Sequence, residues 1–475
     1  MKRIPLVSLL LWTLCPPGAG AGEPAVPSTL TQEASRLRDS ALSLREAAAI
    51  VQSLTDEVGP RLSGSPGGRA AEEWAIQKLS ALGLTNVHGE PLLEPHWERG
   101  VEEGEVVSPH RQKLVLTALG GSPGTGPGGL EAAVLLTEDV SSLHLLLEKE
   151  PGAVRGKIVF FNKKMERTRD GSGYGRAVGI RGRGPLEAAK GGALGVLIRT
   201  VGTSSARLPH TGAIDTRGPV VPAAALSGPD ADFLERLLTG GASVKVHLTL
   251  TCRTLPEAPA RNIVGDVRGD GRPEEIVLLG AHLDSWDLGQ GAIDDGAGVG
   301  IVVEAAHLIA HATHAPRRTV RVVLFANEEN GTRGAKAYAE AHKQEADRHI
   351  AALEMDFGTD RVYGFSSLTG PEGEEAVSAI FELLRPLGVT ENGTEDDGGT
   401  DISQLRPLGV PLFSLRQDGT RYFDIHHSAD DTFDKIDPVS LQQAVAAVVT
   451  FASVAADLPG TFGRVPVSKR ALAER

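Results

Sequence analysis

A chain of 475 residues exceeds one ordinary hydrophobic core, so two domains are expected. Its 41% hydrophobic and 23% charged residues exclude a disordered chain or a multi-span membrane protein. A formal net charge of −13 argues against nucleic acid as a partner.

At the N-terminus, Lys2 and Arg3 precede an apolar run from Ile4 to Cys15, followed by Pro16, Pro17 and the small residues Gly18 to Gly22. This is the charged, apolar, small-residue order of a secretory signal peptide over residues 1–22. The run is shorter than the about 20 residues of a membrane anchor, and no later segment reads as long and apolar enough to replace it. An exported chain, extracellular or periplasmic and without a membrane anchor, is expected. A lipoprotein anchor at Cys15 fits poorly, because Thr13 and Leu14 stand where small residues would be wanted. Losing Lys2 and Arg3 with the signal makes the mature chain more acidic. It also leaves Cys252 as the single cysteine, so the fold must be held by its core, by metals or by a partner subunit.

From Leu30 to Leu84 apolar residues recur at helical spacing in "REAAAIVQSL" and "AAEEWAIQKLSALGL", separated by "GPRLSGSPGG". Two helices joined by a loop follow, as the N-terminal part of the main domain, 23–110. Over 111–255 short β-rich runs ("KLVLTAL", "AAVLLT", "GKIVFF", "GVLIRT", "VKVHLTLTC") alternate with Gly- and Pro-rich turns, with one helix pattern at "GPLEAAKGGA". This predicts a compact, strand-rich second domain. From 256 to 475 the rhythm is strand, loop, helix: "EEIVLLGAH" into "GAGVGIVVEAAHLIAHA", "RTVRVVLFANEE" into "GAKAYAEAHKQEA", "IAALEMDFG" into "EEAVSAIFELLRPLG". The expected fold is α/β, a mostly parallel sheet with helices on both faces.

Polar residues just past the carboxyl ends of such strands are where α/β folds place their chemistry. After "IVLLGA" come His282 and Asp284, then Asp294 and Asp295; after "VVLFAN" come Glu328 and Glu329; after "AALEM" comes Asp356; beyond "PLFSL", "YFDIHHSADDT" carries His426 and His427. Carboxylates crowded at one sheet edge resist ionisation unless a cation compensates them. Oxygen ligands with imidazoles and no thiolate favour zinc, or cobalt or manganese in its place, over calcium or an iron–sulfur centre. Gly296, Gly298 and Gly300 allow close backbone packing where the next helix starts. Each motif alone is commonplace: an H-x-D arises by chance, and an E-E pair is usually a solvated helix start. Their succession, each after an apolar β run, is not.

The stretches "GAHLDSWDLGQGAIDDGAG", "FANEENGTRGA", "EMDFGTD", "GGTDI" and "HHSADDT" resemble the zinc-dependent co-catalytic exopeptidases of the aminopeptidase type. The similarity extends to "PHTGAIDTRG" and "LEAAKGGALGVLIR" and covers nearly all of the mature chain. It implies that 111–255 is a protease-associated domain inserted into the peptidase domain. It also implies two zinc ions about 3.5–4 Å apart that activate water. His282 and Asp356 would bind one, Glu329 and His427 the other, and Asp294 would bridge them, followed by a cis peptide to Asp295. Glu328 would be the general base, and Asp284 would orient the His282 imidazole. By the family pattern Asp431 and Thr432 select His427 as the ligand. His426 then stands where relatives carry tyrosine and would donate a hydrogen bond to the developing oxyanion, with Tyr422 the next candidate.

The resemblance further implies short peptides, dipeptides especially, as substrates, and a noncovalent homodimer. "DGSGYGRAVGIRGRG" (170–184) fits no phosphate-binding spacing and reads as a flexible loop of the inserted domain. His210 in "LPHTG" is a turn residue or a group reaching the cleft, Cys252 a small packed side chain, and the acidic 391–402 a solvated loop whose Gly399-Thr400-Asp401 end matches a loop near the cleft in the family it resembles. Two other functions compete: a metal-depleted, receptor-like binding protein, disfavoured by the complete ligand set, and a single-zinc glutaminyl cyclase, disfavoured by the full bridging set and the inserted domain.

Overall fold

A computed structural model describes residues 26–394 and 398–472. The expected signal peptide with Cys15, and positions 395–397 of the acidic loop, lie outside the described residues. The chain forms two eight-stranded sheets.

At the centre of the first sheet, Arg318–Phe325, Arg272–His282, His349–Glu354 and Leu412–Gln417 run parallel. These are the near-continuous apolar runs expected of strands covered on both faces. Their residues divide by the two-residue pleat. Val277, Leu279, Ala281, Leu353 and Phe413 face the helices Ser28–Ala41, Glu46–Glu57, Ala297–Ala310 and Pro438–Asp457, while Leu278, Val323 and Ala352 face Arg333–Ala341 and Ile402–Leu408. Helices therefore cover both faces, as expected. The sheet itself is mixed rather than mostly parallel: Arg253–Val267 joins Arg318–Phe325 antiparallel on one side, and Val362–Leu368 joins Leu412–Gln417 antiparallel on the other.

Three local expectations are corrected. The N-terminal region holds three helices, Ser28–Ala41, Glu46–Glu57 and Pro66–Ala81, rather than two. A 14-residue strand, Thr85–Glu98, follows where none was expected. It carries Gly89, Pro91 and Pro95, and its tolerance for them follows from its place at the sheet edge, paired only with Arg253–Val267. Finally, among the described residues one segment is long and apolar enough to cross a membrane, the 20-residue helix Pro438–Asp457. All its residues from Ser440 to Ala456 are buried in the first core, where Gln442 donates to Glu304 at 3.0 Å and Gln443 to the Val362 carbonyl at 2.9 Å.

The second sheet is also mixed, and its strands lie between Glu102 and Leu250. Leu130–Thr137, Ile158–Phe161, Gly195–Arg199 and Ala223–Leu226 run parallel, flanked by antiparallel partners. The chain leaves the first sheet at Glu98 and re-enters at Arg253, which face each other in the register of the paired long strands. Arg99, at the departure point, donates to Asp287 in the first body and to the Ala118 carbonyl in the second, at 2.5 and 2.7 Å, fastening the two together.

Candidate metal centre

His282 ends the central strand Arg272–His282 with no exposed surface. Its Nδ1 lies 3.0 Å from the Asp284 main-chain carbonyl, a pure acceptor, so the hydrogen sits on Nδ1 and Nε2 carries the lone pair. That lone pair faces Asp294 Oδ1 at 3.1 Å and Asp356 Oδ1 at 3.5 Å. His427 repeats the arrangement. Its Nδ1 is 3.3 Å from both the Thr211 carbonyl and Arg181 Nη1, and its Nε2 faces Glu329 Oε2 at 2.9 Å and Asp294 Oδ2 at 3.3 Å. Asp294 thus presents one oxygen to each imidazole.

Acceptor nitrogens aimed at carboxylate oxygens repel unless a cation lies between them. Without one, both imidazoles must take up a proton. Against burial, the Asp356 carboxylate holds His282 well above 6.5, and Glu329 does the same for His427. Burial resists ionisation of Asp294 too, yet the two imidazoles beside it hold it well below the usual carboxylate range. Asp294 Oδ2 has no hydrogen-bond donor although it is buried. The donor set fits a pair of metal ions.

The loop that carries these groups is fixed from a distance. Arg61, fully buried, donates from Nε to the Leu283 carbonyl at 2.5 Å and from its two Nη atoms to the Gln290 and Gly291 carbonyls at 2.7 and 2.8 Å. Asp431 accepts from the amides of Ile293 and Asp294 at 2.6 and 3.3 Å. The Asp294–Asp295 peptide is cis, as the resemblance implied. Asp295 is spent on the backbone, accepting from the amides of His282 and Gly298 at 3.1 and 2.9 Å. A side chain at Gly298 would collide with the Met355 carbonyl and with Asp295, so the helix can start this close to the strand only at a glycine.

Asp284 has partners beyond the His282 imidazole. Its carboxylate is 3.6 Å from His282 Nδ1, farther than its own carbonyl, which is the imidazole's acceptor. The carboxylate oxygens instead accept from the amides of Glu328 and Glu329 at 3.0 and 3.4 Å and from the Ser63 hydroxyl at 3.1 Å. Asp284 therefore orients the two glutamates more directly than the histidine.

Glu328, Glu329, Asp294, Asp356, His426 and His427 line one cavity of about 260 Å³. Glu329 is pushed up to about 7 by burial and by Asp294. Glu328 is raised well above its ordinary value, chiefly by burial and then by Asp356 and Glu329. The His426 ring stacks on His427 with centroids 3.5 Å apart, which leaves it neutral: burial, then the charge of His427, push it well below 6.5. Its Nδ1 is buried without a partner, and its Nε2 lies 3.7 Å from Asp294 Oδ2. Tyr422 lines the same cavity.

Further contacts come from the second body. His210 is buried and donates from Nδ1 to the His426 carbonyl at 2.6 Å, so it holds the main chain beside the cavity without lining it. Residues 170–184 are not a flexible loop. They form the short helical segments Ser172–Ala177 and Gly179–Gly182, which bring Tyr174 and Arg181 into the cavity. The glycines that suggested mobility serve contact instead: a side chain at Gly171 would meet the Phe357 ring. Arg181 donates to the Tyr174 hydroxyl at 2.5 Å and to the Thr211 carbonyl at 3.3 Å, while its Nε is buried with no partner. No sequence signal marked Arg181. Cys252 is a buried free thiol 3.2 Å from the Ser122 carbonyl, away from this cavity.

Residues 262–452 match the model of peptidase family M28. Carboxypeptidase Q of Mus musculus is 38% identical over 407 residues, which cover 85% of this chain and 84% of that protein. The chain belongs to peptidase family M28. The crystal structure of a peptidase M28 precursor from Shewanella amazonensis superposes with a TM-score of 0.89 at 42% identity, covering 92% of this chain and 99% of that one. A zinc aminopeptidase from Bacillus subtilis shares the fold, with a TM-score of 0.63 at 19% identity over 88% of this chain and 97% of that one. This M28 metallopeptidase is thus one of a family of co-catalytic zinc exopeptidases, with clusters of histidine and carboxylate suited to metal.

Proposed function

We propose that this M28 peptidase is exported and hydrolyses dipeptides and short peptides held by their free carboxyl end. His282 and Asp356 would hold one zinc ion, Glu329 and His427 a second, and Asp294 would serve both. When bound, the ions lower the pKa of water and polarise the scissile carbonyl. The remaining work falls to side chains of the chain itself. Glu328 takes the proton from the attacking water and hands it to the leaving nitrogen. Asp284 fixes the main chain of Glu328 and so the reach of its carboxylate. The observation that carries the reading is the pair of imidazoles whose lone pairs converge on carboxylates in a cavity that also contains Glu328.

Arg181 supplies the handle. A guanidinium with an unpartnered, buried Nε beside the scissile position is built for a carboxylate, and the second body delivers it there. The cavity of about 260 Å³ suits a short substrate. The second sheet is read as the inserted protease-associated domain, and the assembly as a homodimer, for which light scattering should give twice the chain mass.

The test is a comparison of free, C-amidated and N-acetylated dipeptides with zinc-loaded protein. Free dipeptides should exceed their amides in kcat/KM by roughly 10–100-fold, the scale of one charge-assisted hydrogen bond. Arg181→Met should erase that gap. A preference set by the amino end instead would reject the carboxyl handle. No turnover of any peptide by the zinc-loaded chain would reject the peptidase reading.

A further inference from the structure

The segment 420–427, which ends in His427, is hung from the second body. Arg167 donates to the Thr420 carbonyl and, from its two Nη atoms, to both carboxylate oxygens of Asp424 at 2.8 and 2.6 Å. Thr203 donates its amide to the Phe423 carbonyl at 2.9 Å and its hydroxyl to Asp424 at 2.8 Å. His210 donates to the His426 carbonyl at 2.6 Å. Thr211 closes the series from both sides: its amide donates to the His427 carbonyl at 2.9 Å, and its carbonyl accepts from His427 Nδ1 at 3.3 Å. Arg167 and Thr203 follow the parallel strands Ile158–Phe161 and Gly195–Arg199, so their loops extend the carboxyl end of the second sheet.

His427 needs this support. Its φ of 60° is left-handed, a conformation that a residue with a side chain holds only where its surroundings fix it. His282 has no such dependence. Its Nδ1 acceptor is two residues away in its own loop, its amide is held by Asp295, and Asp356 follows the next strand of the same sheet.

We infer that docking of the second body sets the affinity of one metal position, that of Glu329 and His427, and leaves the His282 and Asp356 position untouched. His210 is the positioning residue at the centre of this clasp. The inference rests on the two-metal reading above. Groups that hold a ligating imidazole in place typically change metal affinity by about 10–100-fold, and here the change should fall on one position alone.

The experiment is a calorimetric zinc titration of the chelated full-length protein, with zinc per chain measured after dialysis. Wild type should bind in two steps, and Glu329→Gln identifies the step belonging to the His427 position by losing it. His210→Phe keeps the ring shape and removes the donor. It should weaken that step by about 10–100-fold and leave the other unchanged, while His210→Asn, which restores a donor, should recover it. Should His210→Phe fail to fold, Arg167→Gln gives the same test at a side chain 41% exposed. Equal weakening of both steps, or two unaltered steps in the folded variants, overturns the inference. A wild-type chain that takes up a single zinc overturns the two-metal reading, and this inference with it.

Discussion

The two halves of the metal centre are built by different means. His282 and Asp356 leave the ends of adjacent parallel strands, and the hydrogen bonds that orient His282 are closed within its own loop. Glu329 also follows a strand of the first sheet, but its partner His427 reaches the site on a segment clasped by the second body. Ligands at strand ends inherit the rigidity of the sheet, whereas a ligand on a connecting segment needs an outside scaffold. The proposed centre would therefore depend on both bodies, although its candidate ligands all come from one.

The largest expected effect separates chemistry from metal binding. Glu328→Gln should lower kcat by roughly 10²–10⁴-fold with zinc content unchanged, whereas Glu329→Ala should lose the zinc of its own half. Full turnover by Glu328→Gln would move the base elsewhere. Next come the two candidate oxyanion donors, both beside the His427 half. His426→Ala should lower kcat by roughly 10²–10³-fold with little change in KM if its Nε2 is the donor. If Tyr422→Phe shows that loss instead, the phenol is the donor and the histidine only packs on His427. A smaller effect is expected of Asp284→Asn. Because the acceptor for His282 is the main-chain carbonyl of residue 284, the substitution should spare zinc at the His282 half and act on turnover through the Glu328 amide, by about 10–100-fold. Loss of zinc from the His282 half would restore the carboxylate as that imidazole's partner.

The same contrast explains what could be read in the sequence. The candidate ligands of the first sheet were legible because each lies just past an apolar β run, where α/β folds place functional groups. The helices on both faces of the sheet were legible from the alternation of β runs and helical periodicity. Arg61 was not, because its role consists of carbonyls more than 200 residues away that follow no pattern. Arg181 and Tyr174 were hidden in a glycine-rich stretch that reads as a mobile loop, since composition does not reveal that Gly171 makes room for Phe357. The strand Thr85–Glu98 was obscured by its prolines, which an edge strand tolerates and a central one does not. The helix Pro438–Asp457 shows the converse: its length and hydropathy suit a membrane, and only the packing around it assigns it to the core.

The central claim is that two half-sites share Asp294. Anomalous diffraction at the zinc edge from crystals of the zinc-loaded protein tests it most directly. The account predicts two peaks about 3.5–4 Å apart, one contacted by His282 and Asp356, the other by Glu329 and His427, with an Asp294 oxygen on each. A single peak, or two peaks with Asp294 on only one of them, would contradict it.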